Sequence, residues 1–167
     1  MSSDIFSKPI DVSKFDLIYA GAQKNLGPAG STLYIVKKEL LGKTGNSIPS
    51  MLDLSNHIAK DSMYNTPPVF PVYVNMLTLE WLVKLGGVEE MGRINAEKAS
   101  TLYKEIDRNP FFRGVVETED RSEMNVTFVL NDEAHKDRFD QLWEKANING
   151  IEGHRSVGGY RASIYNA

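Results

Sequence analysis

The segment from residue 88 to about residue 109 carries the clearest periodicity in the chain. Met91, Ile94, Ala99, Leu102, Tyr103 and Ile106 recur at helical spacing, and Glu97, Lys98, Lys104 and Glu105 fall on the other side. A helix with one apolar stripe needs another element to cover it. The residues that follow supply one. Residues 112–117 and 124–130 read as strands, the second almost continuously apolar. Residues 132–147 read as a helix with Phe139, Leu142 and Trp143 inward. Asn149-Gly150 turns the chain, residues 151–155 form a short strand, and residues 160–165 form the last one. Helix, two strands, helix, two strands predicts a small α+β domain whose sheet is packed on one face by helices.

Upstream, Pro67-Pro68 opens another helix, because proline is tolerated in a first turn. Val69, Tyr73, Met76, Leu77, Leu79, Trp81, Leu82 and Leu85 populate more than one of its faces, which predicts burial; Gly86-Gly87 stops it. Trp81 and Trp143, at helical spacing with other apolar residues, read as core. Strands at residues 15–20 and 31–36 come earlier, followed by a helical turn at 37–41. Residues 42–66 read as irregular and polar, and a loop of that length tends to be functional or to lie at an interface.

The first two strands flank Ala22-Gln23-Lys24-Asn25-Leu26-Gly27-Pro28-Ala29-Gly30. This arrangement fixes one amine at a strand tip, and the glycine- and proline-rich turn lets a ligand approach the backbone. A lysine held there out of free water is suited to form an imine with an aldehyde cofactor, because desolvation frees the amine. The plainer reading of Lys24 is a solvated surface charge. Asn65 and Thr66 stand just before the prolines, where Thr66 can cap the helix or help hold a phosphate at its N-terminus. In Gly153-His154-Arg155-Ser156-Val157-Gly158-Gly159-Tyr160-Arg161, one histidine and two arginines crowd around a glycine pair. They suit carboxylate or phosphate oxygens, or else form a surface hairpin with solvated or ion-paired arginines.

Composition removes several other classes. A net charge of -3 leaves no basic footprint, so nucleic acid is not expected as a partner. No apolar run reaches membrane-span length, and the polar start is unlike a signal peptide. The absence of cysteine excludes disulfides and thiolate metal sites. His57 and His135 lack metal-ligand spacing, so no metal is expected. A cytoplasmic protein is the expectation. The chain opens shortly before a strand and stops at residues 163–167 with no closing helix, which reads as a piece of a longer protein.

Four segments in order resemble the phosphoserine aminotransferase family, a branch of the fold-type I enzymes that use pyridoxal 5′-phosphate. They run over residues 19–30, 62–68, 153–159 and 161–167, and the similarity spans essentially the whole chain. The resemblance implies an α/β fold. Residues 1–85 would be the C-terminal part of the cofactor-binding large domain with an interdomain helix, and residues 86–167 a truncated small α+β domain. It also implies roles. Lys24 would hold the cofactor covalently, with Gln23 contacting its phosphate. Asn65 and Thr66 would reach the cofactor phosphate of the other subunit, giving a homodimer with a shared active site. Arg161 would take the substrate α-carboxylate, and His154 and Arg155 the substrate phosphate. The implied reaction moves an amino group between glutamate and 3-phosphohydroxypyruvate, in serine and in many bacteria pyridoxine synthesis.

The family's large domain normally begins well upstream, and the aspartate that pairs with the cofactor ring nitrogen would precede Met1. The isolated chain is therefore expected to be inactive. Two alternatives stay open. One is another fold-type I transaminase, although a non-phosphorylated substrate would not need His154 and Arg155 together. The other is a non-catalytic domain in which the Lys24 turn is structural.

Overall fold

The computed structural model describes residues 1–167, which form two compact units, Met1–Glu89 and Glu90–Ala167. In the first, strand β1 (Leu17–Gly21) pairs antiparallel with β2 (Thr32–Val36), from Leu17 opposite Val36 to Gly21 opposite Thr32. Alternation buries Ile18 and Ala20, and Ile5, Ala22 and Leu26 are buried as well. Tyr19 and Tyr34 stack on the outer face with centroids 6.3 Å apart.

The stretch expected to be irregular contains a short helix, α1 (Leu54–Ile58). Asp53 starts it by accepting a hydrogen bond from the Ser55 amide at 2.9 Å. Helix α2 (Val69–Leu85) starts later than the capping argument for Thr66 requires. Pro68 takes the cap position without a side-chain bond, so Thr66 lies outside the helix and caps nothing. Gly86 ends α2 in the left-handed conformation, with φ 119°, and α3 begins one residue later.

The expected burial of α2 is not met. Leu82 is its one buried residue, while Val69 is 72%, Phe70 69% and Val83 74% exposed. Trp81, read as core, is 39% exposed. Apolar residues around the whole helix announce that it can be buried on all sides; they do not supply the surfaces to cover it, and this chain covers little of it.

In the second unit, α3 (Gly87–Arg108) turns Met91, Asn95, Ala99 and Ile106 inward. Strands β3 (Phe112–Gly114), β4 (Asn125–Leu130) and β5 (Tyr160–Ser163) form an antiparallel sheet in that order. Val126, Phe128 and Leu130 alternate into the core of central β4, where they meet Ala99, Ile106, Trp143 and Tyr160. Each fully buried side chain of this kind contributes about 1.5–3 kcal/mol. Phe112, Phe128, Phe139 and Tyr160 form an aromatic cluster, with centroids 4.9 Å apart between Phe139 and Tyr160 and 5.6 Å between Phe112 and Phe128. A bidentate Arg121–Asp107 pair, 2.7 Å on both arms, ties the β3–β4 connection to α3. Arg121 holds the Asp107 carboxyl below its ordinary range.

Helix α4 (Lys136–Lys145) follows a single 3-10 turn, Glu133–His135, started by Asp132. Leu142, expected inward, is 57% exposed. Phe139, Asp140 and Trp143 occupy the inner arc of α4, and at about 100° per residue Leu142 falls outside that arc. Two strands are shorter than their sequence suggests. β3 stops at Gly114, and residues 151–155 contribute one isolated bridge, Glu152 to Tyr160. The chain leaves strand geometry there because the amides of Val157 and Gly158 both donate to the His154 carbonyl. Beyond β5, the Ile164 amide donates to the Met124 carbonyl at 2.9 Å, and buried Asn95 donates to buried Asn166 at 3.0 Å.

Candidate functional site

The candidate residues fall in both units. In the first, the turn after β1 is closed by its own main chain. The Ala22 amide donates to the Ser31 carbonyl at 3.0 Å, and the Gly27 amide to the Ala22 carbonyl at 2.8 Å. Asn25 and Leu26 are buried beneath the turn, and Asn25 Nδ2 donates to the carbonyls of Ser3 (2.8 Å) and Ile5 (3.1 Å). Asn75 of α2 supports the far side. Its amide meets Ser31 Oγ at 2.7 Å and, with the oxygen facing that hydroxyl, donates to the carbonyls of Pro71 and Leu26. A Cβ on Gly27 would come 2.4 Å from this amide, so glycine lets the turn lie on the helix. Neither Asn25 nor Asn75 was singled out from sequence. Asn25 stands in the turn segment itself, but nothing local marks its amide as the anchor of residues 3–5.

On this braced turn Gln23 and Lys24 point to solvent. Lys24 was expected to lie out of free water, and the structure corrects that. Its neighbours Asn25 and Leu26 are buried, and no side chain of this chain covers the amine or pairs with it. Asn65 and Thr66 are exposed as well. Asn65 touches Met51 Sδ at 3.4 Å. His57, bonded to the Met51 carbonyl at 2.9 Å and edge-on to Tyr64 at 5.4 Å, fastens the segment that leads to them. No hydrogen bond joins Gln23 or Lys24 to Asn65 or Thr66 within this chain.

In the second unit, His154 and Arg161 line one cleft of about 270 Å³ together with Thr127, Val129 and Tyr160. Arg161 lies opposite Thr127 on β5. Arg155 is exposed next to His154 but is not part of the cleft wall. Neither arginine has a carboxylate partner, which removes the reading of them as structural ion pairs. His154 Nδ1 accepts from the Ser156 amide at 3.3 Å and sits 2.7 Å from Ser156 Oγ. With Nδ1 accepting from that amide, Nε2 is the ring nitrogen left to meet an anion. No group of three or more histidine, aspartate or glutamate side chains is placed to hold a metal. No helix is long and apolar enough to cross a membrane.

Glycine is required at the root of this turn. A Cβ on Gly153 would lie 2.0 Å from the Gly158 carbonyl oxygen, whereas one on Gly158 would meet open space. Gly153→Ala is therefore expected to destabilise the unit by about 1–3 kcal/mol, as overpacking does. Gly158→Ala, at φ 76°, meets conformational strain alone and is expected to cost about 1 kcal/mol. Thermal unfolding of the two variants checks the order.

Residues 1–167 match the aminotransferase class-V family. The phosphoserine aminotransferase of Flavobacterium psychrophilum is 64% identical over 167 residues, covering all of this chain and 47% of the relative. The solved structure of the phosphoserine aminotransferase from Bacillus circulans subsp. alkalophilus superposes with a TM-score of 0.94 at 46% identity, covering all of this chain and 46% of that one. The PLP-bound phosphoserine aminotransferase of Trichomonas vaginalis gives a TM-score of 0.92 at 36% identity, over all of this chain and 48% of that one. The chain thus spans about half the length of the relatives it matches, and its α/β fold is that of part of a fold-type I aminotransferase.

Proposed function

The chain belongs to the class-V aminotransferase family, and from that premise we propose that it is the C-terminal part of a phosphoserine aminotransferase that uses pyridoxal 5′-phosphate. The observation that carries this reading is the Lys24 amine, unpaired and presented on a turn whose every other support is internal. The residues present fit the cofactor. A primary amine without a competing carboxylate stands beside the exposed Gln23 amide, which folds back over a glycine: a Cβ on Gly21 would lie 2.3 Å from Gln23 Oε1. Lys24 would hold the cofactor aldehyde, and Gln23 its phosphate. Asn65 and Thr66 would serve the cofactor phosphate of a second subunit, which agrees with their exposure and with the absence of any bond to Lys24 in their own chain. A homodimer with shared sites and a cytoplasmic location are part of the same proposal. In it, residues 1–85 belong to the large domain and residues 86–167 to the small one.

When bound, the cofactor supplies an electron sink for charge developing at the substrate Cα. The chain's own residues bind, orient and move a proton. Arg161 takes the substrate α-carboxylate in a two-pronged contact. His154 Nε2–H and the Arg155 guanidinium take the phosphate, so the two ends of the substrate meet separate cations. The Lys24 amine would act as the base that takes the proton from the substrate Cα. The substrates are then glutamate and 3-phosphohydroxypyruvate, in serine and pyridoxine synthesis.

The test is turnover of that pair by the full-length protein and by residues 1–167 alone. Amino transfer is expected from the full-length protein, and none above background from the isolated chain. Failure of the full-length protein with this pair, alongside activity on a non-phosphorylated oxo acid, would overturn the substrate assignment.

A further inference from the structure

The cleft that contains His154 and Arg161 is tied to a residue outside it. The Tyr160 hydroxyl donates to Asp140 Oδ1 on α4 at 2.8 Å. Trp143 Nε1 donates to the same oxygen at 3.0 Å, and Lys136 pairs with Oδ2. Tyr160 is 5% exposed, and its ring stacks on Phe128 at 5.4 Å. It also occupies a junction. Its backbone lies opposite Phe128 of β4 on one side and Glu152 on the other, so the turn carrying His154 begins and ends at its pairing. Alternation along β5 places Tyr160 inward and Arg161 outward.

A buried phenol hydroxyl requires a partner, and here the partner comes from the helix behind the sheet rather than from the sheet itself. That makes the bond a tether between layers. We propose that Asp140 is a positioning residue for the anion cleft: through the Tyr160 hydroxyl it fixes the start of β5, and with it the placement of Arg161 and the closure of the His154 turn. The inference rests on the reading of that cleft as the substrate-anion site. Small displacements of a binding cation matter, because bidentate recognition depends on the orientation of the fork.

The two hydrogen bonds converge on one oxygen, which makes the role separable. Asp140→Asn keeps an acceptor for both donors and loses the charge facing the half-exposed Lys136. Asp140→Ala removes both bonds. Tyr160→Phe keeps the ring and its aromatic contacts and removes the hydroxyl alone.

The experiment is a titration of the full-length protein, ¹⁵N-labelled at glycine and arginine, with O-phospho-L-serine, followed at the amides of Gly158, Gly159 and Arg161. The Kd is expected to rise about 5- to 10-fold in Tyr160→Phe, the effect of one lost net hydrogen bond, and at least as much in Asp140→Ala, which loses two. In Asp140→Asn it should stay within about twofold of the wild type, since an exposed ion pair contributes little. A purely structural role lowers the folded fraction, read from near-UV circular dichroism, without changing the Kd of the folded molecules. If the wild type binds and both Asp140→Ala and Tyr160→Phe bind equally well, the positioning role is refuted and the cleft reading survives. If the wild type shows no response at these amides, the anion cleft itself is refuted and the inference falls with it. Should Asp140→Ala not fold, Tyr160→Phe decides.

Discussion

Lys24→Ala is expected to abolish amino transfer in the full-length protein, lowering turnover by at least about 10³-fold. Acid–base catalysis by a positioned side chain contributes about 10²–10⁴-fold, and this substitution also removes the covalent hold on the cofactor. The structure adds a reason to expect a clean result. The turn's supports run through Ala22, Asn25, Gly27, Ser31 and Asn75, and none of them uses the Lys24 side chain. Thermal stability of the variant without cofactor should therefore stay near that of the wild type. Loss of activity with an unchanged unfolding midpoint supports a chemical role; residual turnover near the wild-type rate would oppose it. Lys24→Arg should be as inactive as Lys24→Ala, because a guanidinium keeps the charge but stays protonated.

Arg155→Ala should separate the two substrates. The phosphorylated oxo acid presents a phosphate that glutamate lacks, so a cation reserved for phosphate matters for one and not for the other. Loss of hydrogen bonds to a charged group costs about 1.5–3 kcal/mol, or about 10- to 150-fold in KM for 3-phosphohydroxypyruvate. The KM for glutamate should change by less than about twofold, as expected for a side chain that touches only the phosphorylated substrate. Arg155 has no ion-pair partner whose loss would confuse the comparison. Equal damage to both half-reactions would point to a general structural effect and remove Arg155 from phosphate recognition.

Much of the second unit was legible in the sequence because its elements are strongly patterned. The stripe of α3 and the apolar run of β4 each define a buried face within a single segment. The clusters around Lys24 and His154 stand out in the sequence for a similar reason: each is contiguous. What escaped depends on partners far along the chain. Asp140 reaches Tyr160 across 20 residues, and Asn95 reaches Asn166 across 71. No local pattern marks these polar residues as inward, and Leu142 turns outward because Phe139, Asp140 and Trp143 occupy the arc that faces the core. The steric need for glycine at 153 arises from the carbonyl of Gly158, which only the folded turn brings near. The exposure of α2 and of Lys24 escaped on different grounds. Sequence reports that a side chain suits burial; it is the surrounding polypeptide that decides whether burial occurs.

The role of Lys24 is open to one direct measurement. The full-length protein would be incubated with pyridoxal 5′-phosphate, reduced with borohydride and digested, and the modified residue identified by mass spectrometry. The added mass is expected on the peptide that contains Lys24, and to disappear in Lys24→Ala. Label spread over surface lysines, with Lys24 unmodified, would contradict the account.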